Sequence, residues 1–203
     1  MYDAIVGRSV YHRVFWGSSA ASYARFGRAA LEAAGHGHFA EVGCGSLLFT
    51  AQMYREVRSS SVILVDRSLH MLRRALGRLG PAEDGPPLEV IALHADASAL
   101  PIRRGMFSTI LNLNLLHVPC DRAAIIAECC RTLTPGRGRL FVSSLVLSGR
   151  WSDAYLSVLH RAGELGTPLS LDALRATVAG QWAVVESIAV EGNMCFMVVR
   201  HAG

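Results

Sequence analysis

The residues best suited to chemistry stand in one run, Glu41-Val42-Gly43-Cys44-Gly45-Ser46, and at Asp66, 23 residues beyond the first of its glycines. Two glycines directly after an apolar stretch let the chain turn sharply off a strand and let its backbone approach a ligand. An aspartate at the end of the following apolar run can accept hydrogen bonds from both hydroxyls of a ribose. A pyrophosphate would call for a third glycine and a free helix N-terminus. Position 47 is leucine instead, and Glu41 stands just before the turn. A carboxylate there repels phosphate and attracts a cation, so the pattern suits an adenosine ligand carrying positive charge.

Alternating apolar runs and helical patterns must position this turn. Strands are expected at His38 to Val42, Ser61 to Val65, Leu88 to Leu93, Met106 to Leu113 and Arg139 to Leu145. Helices are expected at Leu47 to Val57 behind a Ser46 cap, Ser68 to Leu79, and Asp121 to Leu133, the last stopped by Thr134-Pro135-Gly136. Strands that are mostly apolar and separated by helices imply a parallel sheet covered on both faces. Trp151 to Leu165 and Leu171 to Ala179 read as further helices. Ala183 to Val190 and Cys195 to Arg200 read as an antiparallel pair joined through Glu191-Gly192-Asn193. Two amphipathic stretches, Tyr2 to Phe15 and Ser19 to Ala34, precede the first strand.

The fold class is therefore α/β: a doubly wound, mostly parallel seven-stranded sheet with an antiparallel C-terminal edge pair and two extra N-terminal helices. Residues 1–35 form a helical lid or cover, and 36–203 the cofactor-binding domain, one compact unit in all. At 203 residues, 51% hydrophobic and 18% charged, the chain is a packed single domain rather than a disordered one. The formal charge of +4 is spread without a basic stripe, which excludes nucleic acid as the expected partner. Five cysteines without metal-ligand spacing predict no metal site and, with no leader sequence, a cytoplasmic protein. No uncharged apolar window is long enough to span a membrane. A homodimer is compatible with the composition.

These segments together resemble a class I, seven-stranded S-adenosylmethionine-dependent methyltransferase. Glu41-Val42-Gly43-Cys44-Gly45 resembles the family's first motif, which holds the methionine portion of the cofactor. Ile63-Leu64-Val65-Asp66 resembles the second, implying Asp66 on the ribose with Arg67 and Ser68 beside the adenine. His94-Ala95-Asp96-Ala97-Ser98-Ala99-Leu100-Pro101 resembles the third, implying Asp96 on the adenine amino group and a backbone N–H from Ala97. Phe107 to His117 matches the fourth strand and its catalytic-side loop, and Leu133 to Gly138 the turn before the fifth. Two positions depart from the pattern: Leu47 replaces the usual third glycine, and Ser108 replaces a frequent acidic residue.

The resemblance implies transfer of a methyl group to a small, apolar or aromatic molecule by in-line displacement, with S-adenosylmethionine as cofactor. A sulfonium methyl is already electrophilic, so alignment and exclusion of water matter more than a conspicuous triad. Asn112 and Asn114 at the end of the fourth strand are candidates to present amides, Asn112 to the cofactor and Asn114 to the substrate. His117 is the candidate general base, with a near-neutral pKa. Tyr11, His12, Trp16 and Tyr23 are candidates to line the acceptor pocket. Two other functions fit the same residues less well: a catalytically inactive methyltransferase-like scaffold, and a NAD-dependent oxidoreductase.

Overall fold

A computed structural model describes residues 19–56, 61–80, 89–118, 120–149, 151–180 and 182–203. The stretch from Tyr2 to Phe15, and with it Tyr11, His12 and Trp16, lies outside the described residues.

Helix α1 (Ala20–Ala34) starts where the Ser19 hydroxyl accepts the Ser22 amide, and ends at Gly35, whose φ of 55° a side chain would disfavour. Its buried stripe of Tyr23, Gly27, Ala30, Leu31 and Ala34 faces the sheet. Gly27 lets the helix approach closely, because a Cβ there would stand 3.3 Å from Thr50 Cγ2. Strand β1 (Phe39–Val42) follows, then α2 (Ala51–Glu56), β2 (Ser61–Asp66), α3 (Leu69–Leu79), β3 (Glu89–His94), β4 (Thr109–Leu113), α4 (Arg122–Thr132) and β5 (Arg139–Leu147). The second part holds α5 (Ser152–Arg161), a two-residue β6 (Leu169–Ser170), α6 (Leu171–Ala179), β7 (Ala183–Glu191) and β8 (Met194–His201).

The strands form one sheet in the order β3-β2-β1-β4-β5-β8-β7, with β6 alongside β5. Pairings among β1 to β5 are parallel, and β8 is antiparallel to both β5 and β7. The expected antiparallel edge pair is present, its later strand lying inside the earlier one. β1 and β4 are buried along their whole length, as the continuous apolar runs require. One core, built on Phe39, Leu64, Leu111, Phe141 and Phe196, lies under α1 and α2. The other, built on Val42, Ile110, Leu140, Val142 and Met197, lies under α4 and α6.

Three expectations are corrected in detail. The helix expected from Leu47 starts only at Ala51, and residues 47–50 form a turn. The fourth strand starts at Thr109, not Met106; Phe107 before it makes an isolated bridge to Leu133. The long helix expected from Trp151 to Leu165 ends at Arg161.

Candidate functional site

The carboxyl ends of β1, β2, β3 and β4 meet at a two-lobed cleft. The first lobe, ≈ 340 Å³, is bounded by Glu41, the turn from Gly43 to Ser46, Leu48, Phe49, Thr50, Met71 and the segment from Leu113 to Leu115. The second, ≈ 320 Å³, is bounded by Val65, the segment from Ala95 to Ser98, Cys120, Asp121 and Ile125. Gly43, Asp66, Arg67, Leu115 and Val118 belong to both walls, so the lobes adjoin along the glycine turn. This is the crevice outside the carboxyl ends of parallel strands where open α/β sheets bind their ligands.

The turn is built from alternating left-handed residues: Gly43 at φ 72°, Gly45 at 54° and Leu47 at 56°. The Gly43 and Cys44 amides donate to the Val65 carbonyl at 2.8 and 3.0 Å, clamping the turn to the end of β2. Gly45 donates to one oxygen of Asp66 and Ser68 to the other, both at 2.8 Å, so the carboxylate is oriented from two sides. Open space lies where a Gly45 side chain would begin, leaving that backbone bare toward the cleft. Arg78, in the last turn of α3, donates to the Ser46 carbonyl at 2.7 Å and to its hydroxyl. Ser46 is thus held by α3 rather than serving as a helix cap. Leu47 explains the late start of α2: a left-handed residue cannot lie inside a right-handed helix, and this conformation buries its side chain in the core.

Glu41 is 2% exposed. Its carboxyl accepts the Tyr54 hydroxyl at 2.6 Å and the Thr50 hydroxyl at 3.3 Å. Burial pushes it up to about 7 against the opposing effect of these donors. A cation entering the first lobe would restore its charge. Cys44 is a neutral thiol, raised far above its ordinary value by burial and then by Glu41 and Asp66, which excludes it as a nucleophile. In the second lobe Asp96 accepts the Ser98 hydroxyl at 2.6 Å and amide at 2.8 Å, and these bonds hold it below the usual carboxylate range. Arg67 and Ala97 line the walls beside it. The cleft is thus bordered by Glu41, Asp66, Asp96 and Asp121, with Arg67 as the cation among the described lining residues.

Asn114 lines the first lobe at φ 60°, a conformation asparagine tolerates. Its amide N–H donates to Ser143, and its side-chain oxygen accepts the Ser143 hydroxyl at 3.1 Å. Asn112 does not reach either wall. It is fully buried within β4, its side-chain amide donating to the Val42 carbonyl at 3.3 Å, and its side-chain oxygen has no partner among the described residues. His117 is buried behind the cleft wall, and its Nδ1 accepts the Leu145 amide at 3.2 Å. Burial first, and the charge of Arg122 second, lower it to about 3 rather than leaving it near neutrality. Tyr23 likewise packs in the core, stacked on Phe49 at 4.3 Å and edge-on to Phe196 at 5.3 Å, so that Phe49 rather than Tyr23 meets the cleft.

Tyr54, Thr50, Arg78 and Ser143 also build this site and escaped the sequence reading. Each acts across from another element, so no local spacing betrays it. Among the described residues no group of three His, Cys, Asp or Glu is arranged to hold a metal ion. Among the same residues no helix is long and apolar enough to cross a membrane.

A protein-family profile described as a methyltransferase domain matches residues 39–136, which contain the turn, Asp66, Asp96 and β4. No curated protein matches the chain. Among solved structures, the geranyl diphosphate C-methyltransferase of Streptomyces coelicolor A3(2), in complex with Mg2+, geranyl diphosphate and S-adenosyl-L-homocysteine, superposes with a TM-score of 0.68 at 14% identity, covering 90% of this chain and 77% of that one. An S-adenosylmethionine-dependent methyltransferase from Mesorhizobium loti superposes at 0.65 and 18% identity, covering 86% and 95%. A putative sarcosine dimethylglycine methyltransferase from Galdieria sulphuraria superposes at 0.67 and 12% identity, covering 89% and 84%. At these identities the structural likeness establishes the fold, which is the one derived above.

Proposed function

We propose that this chain is a class I, Rossmann-like S-adenosylmethionine-dependent methyltransferase and that it methylates a small, uncharged, apolar or aromatic acceptor. The observation that carries the reading is the two-lobed cleft with a carboxylate stationed at each expected contact. Asp66 stands at the shared edge for the ribose, Asp96 in the second lobe for the adenine, and Glu41 in the first for the methionine ammonium. Gly43, Cys44 and Gly45 supply bare or short backbone along the cofactor, and Arg67 and Ala97 border its adenine. When bound, the cofactor would supply a methyl group on a positively charged sulfur; its carbon–sulfur bond would break as the acceptor bonds to the carbon in line, and the sulfur would leave as a neutral thioether. The protein's part is to hold both partners and exclude water.

The acceptor class follows from the walls. Leu48, Phe49, Leu113, Leu115 and Val118 make an apolar surface beside Asn114, whose side-chain amide would orient the acceptor. Structures of geranyl diphosphate methyltransferases with their substrate bound show that this fold accommodates an isoprenoid diphosphate. Here the described lining residues offer only Arg67 as a cation against four carboxylates, an environment that disfavours a diphosphate. His117 takes a supporting place, because its Nδ1 is engaged and its ring stays neutral. Residues 36–203 are the catalytic unit. Of the segment before it, the described helix α1 packs against β4 and β5, as a cover of the sheet would. Five free thiols accord with the reducing cytoplasm.

Calorimetry tests the reading. Binding of S-adenosylmethionine and S-adenosylhomocysteine is expected, with NADH and ATP giving no heat. Absence of heat from both adenosyl ligands at millimolar concentration would sink it.

A further inference from the structure

The loop after β4, from Asn114 to Val118, forms part of both cleft walls, and its shape is set by groups outside the cleft. Below it, β5 supplies the Ser143 contacts to Asn114 and the Leu145 amide to His117. Beside it, Arg122 at the first turn of α4 donates through Nε to the Leu116 carbonyl and through Nη2 to the Thr167 carbonyl at 2.7 Å. Next to that bond, the Gly166 amide donates to the His117 carbonyl at 2.8 Å. Position 166 has no room for a side chain: a Cβ would stand 2.8 Å from Arg122 Nη2 and 3.0 Å from the Val118 carbonyl oxygen. On its far side the loop presses Leu115 against the glycine turn, where a Cβ on Gly43 would lie 2.8 Å from Leu115 Cδ2. A continuous set of contacts thus runs from the segment between α5 and β6, through the guanidinium, to the wall facing the cofactor.

We propose that Arg122 is a positioning residue for methyl transfer: its guanidinium fastens the loop after β4 to the segment before β6, so that both cleft lobes keep one shared wall. The proposal rests on the cofactor reading above for its consequence and on the hydrogen bonds for its substance. Lysine cannot replace it, because one ammonium cannot reproduce the fork of Nε and Nη2 aimed at two separate carbonyls. Gly166 belongs to the same device, since its bare backbone is what admits the guanidinium.

The test uses the full chain and S-adenosylhomocysteine as probe. Arg122→Ala should bind it roughly 10-fold more weakly, the scale of one charged hydrogen bond, and Arg122→Lys should fall between it and the unaltered protein. Methylguanidinium at tens of millimolar should restore affinity to Arg122→Ala, whereas sodium chloride at equal ionic strength should not. That comparison separates occupancy of the guanidinium site from a general effect of ionic strength. Gly166→Ala should weaken binding similarly, and the double variant should be no worse than Arg122→Ala alone. Independently of any ligand, hydrogen exchange at the Gly166 and Leu145 amides should accelerate in Arg122→Ala, or in Arg122→Lys if the alanine variant does not fold. Unchanged exchange at those amides, or rescue by salt as complete as by methylguanidinium, overturns the proposal. An unaltered protein that ignores the probe, together with accelerated exchange in the variant, would instead indict the cofactor reading and leave the fastening role intact.

Discussion

Glu41 and His117 are both buried beside the cleft, and burial drives them in opposite directions. Glu41 rises from 4.5 to about 7, so the folded protein retains a proton that the unfolded chain has lost. Stability therefore falls as pH rises through that window, by roughly 3 kcal/mol at most. Glu41→Gln should raise the melting temperature at pH 8 and change it little at pH 5, while weakening S-adenosylmethionine binding; melts across pH and calorimetry read both halves. The same carboxyl should release its proton when a cation binds, so the binding enthalpy near neutral pH should vary with the ionisation enthalpy of the buffer. His117 falls from 6.5 to about 3, so the unfolded chain takes up a proton that the folded one refuses. Stability is lost as pH drops below 6.5, by at most roughly 5 kcal/mol near pH 3. His117→Asn keeps an acceptor for the Leu145 amide but does not titrate. Its melting temperature should be lower at pH 7, from lost ring volume, yet fall less steeply between pH 7 and pH 4.

At the scale of elements, the turn from Gly43 to Thr50 separates what local sequence can reveal from what it cannot. Helix caps are local devices: Ser19, Ser68, Asp121 and Ser170 each accept the amide three residues on. Ser46 has the same chemistry but is recruited by Arg78 from another helix. Glu41, Gly43, Gly45, Asp66 and Asp96 were readable as a set because each sits where a strand meets the cleft. Tyr54, Arg78 and Arg122 act over distances in the chain that carry no periodicity. Asn112 and Asn114 show the limit of alternation: it places them on one face of β4, yet the backbone turns left-handed at Asn114 and sends only that one to the cleft. Leu47 is the element-level counterpart. Leu47→Gly would relieve about 1 kcal/mol of left-handed strain but empty a core site that is 1% exposed, worth roughly 2–4 kcal/mol. Chemical denaturation should show a net loss of stability, although the substitution restores the family's usual residue.

For the whole molecule, the sheet is a partition between two cores, and β8 is the strand that completes both. Met194 and Phe196 enter one core while Cys195, Met197 and Val199 enter the other. A charge at Met197 should therefore lower the stability of the entire domain and loosen the cleft end of β5 as well; thermal melts and hydrogen exchange at β5 read the two effects. The position of β8 also has a kinetic meaning. In chain order it follows every other strand of the sheet, yet it occupies an interior slot between β5 and β7. Until it docks, β5 presents an unpaired edge flanked by apolar residues, and an open edge of that kind recruits other chains. Refolding from denaturant is thus expected to compete with intermolecular strand pairing, with a yield that falls as protein concentration rises and light scattering that appears before the native signal. The strand that seals the sheet decides how long the half-built domain stays vulnerable to its own copies.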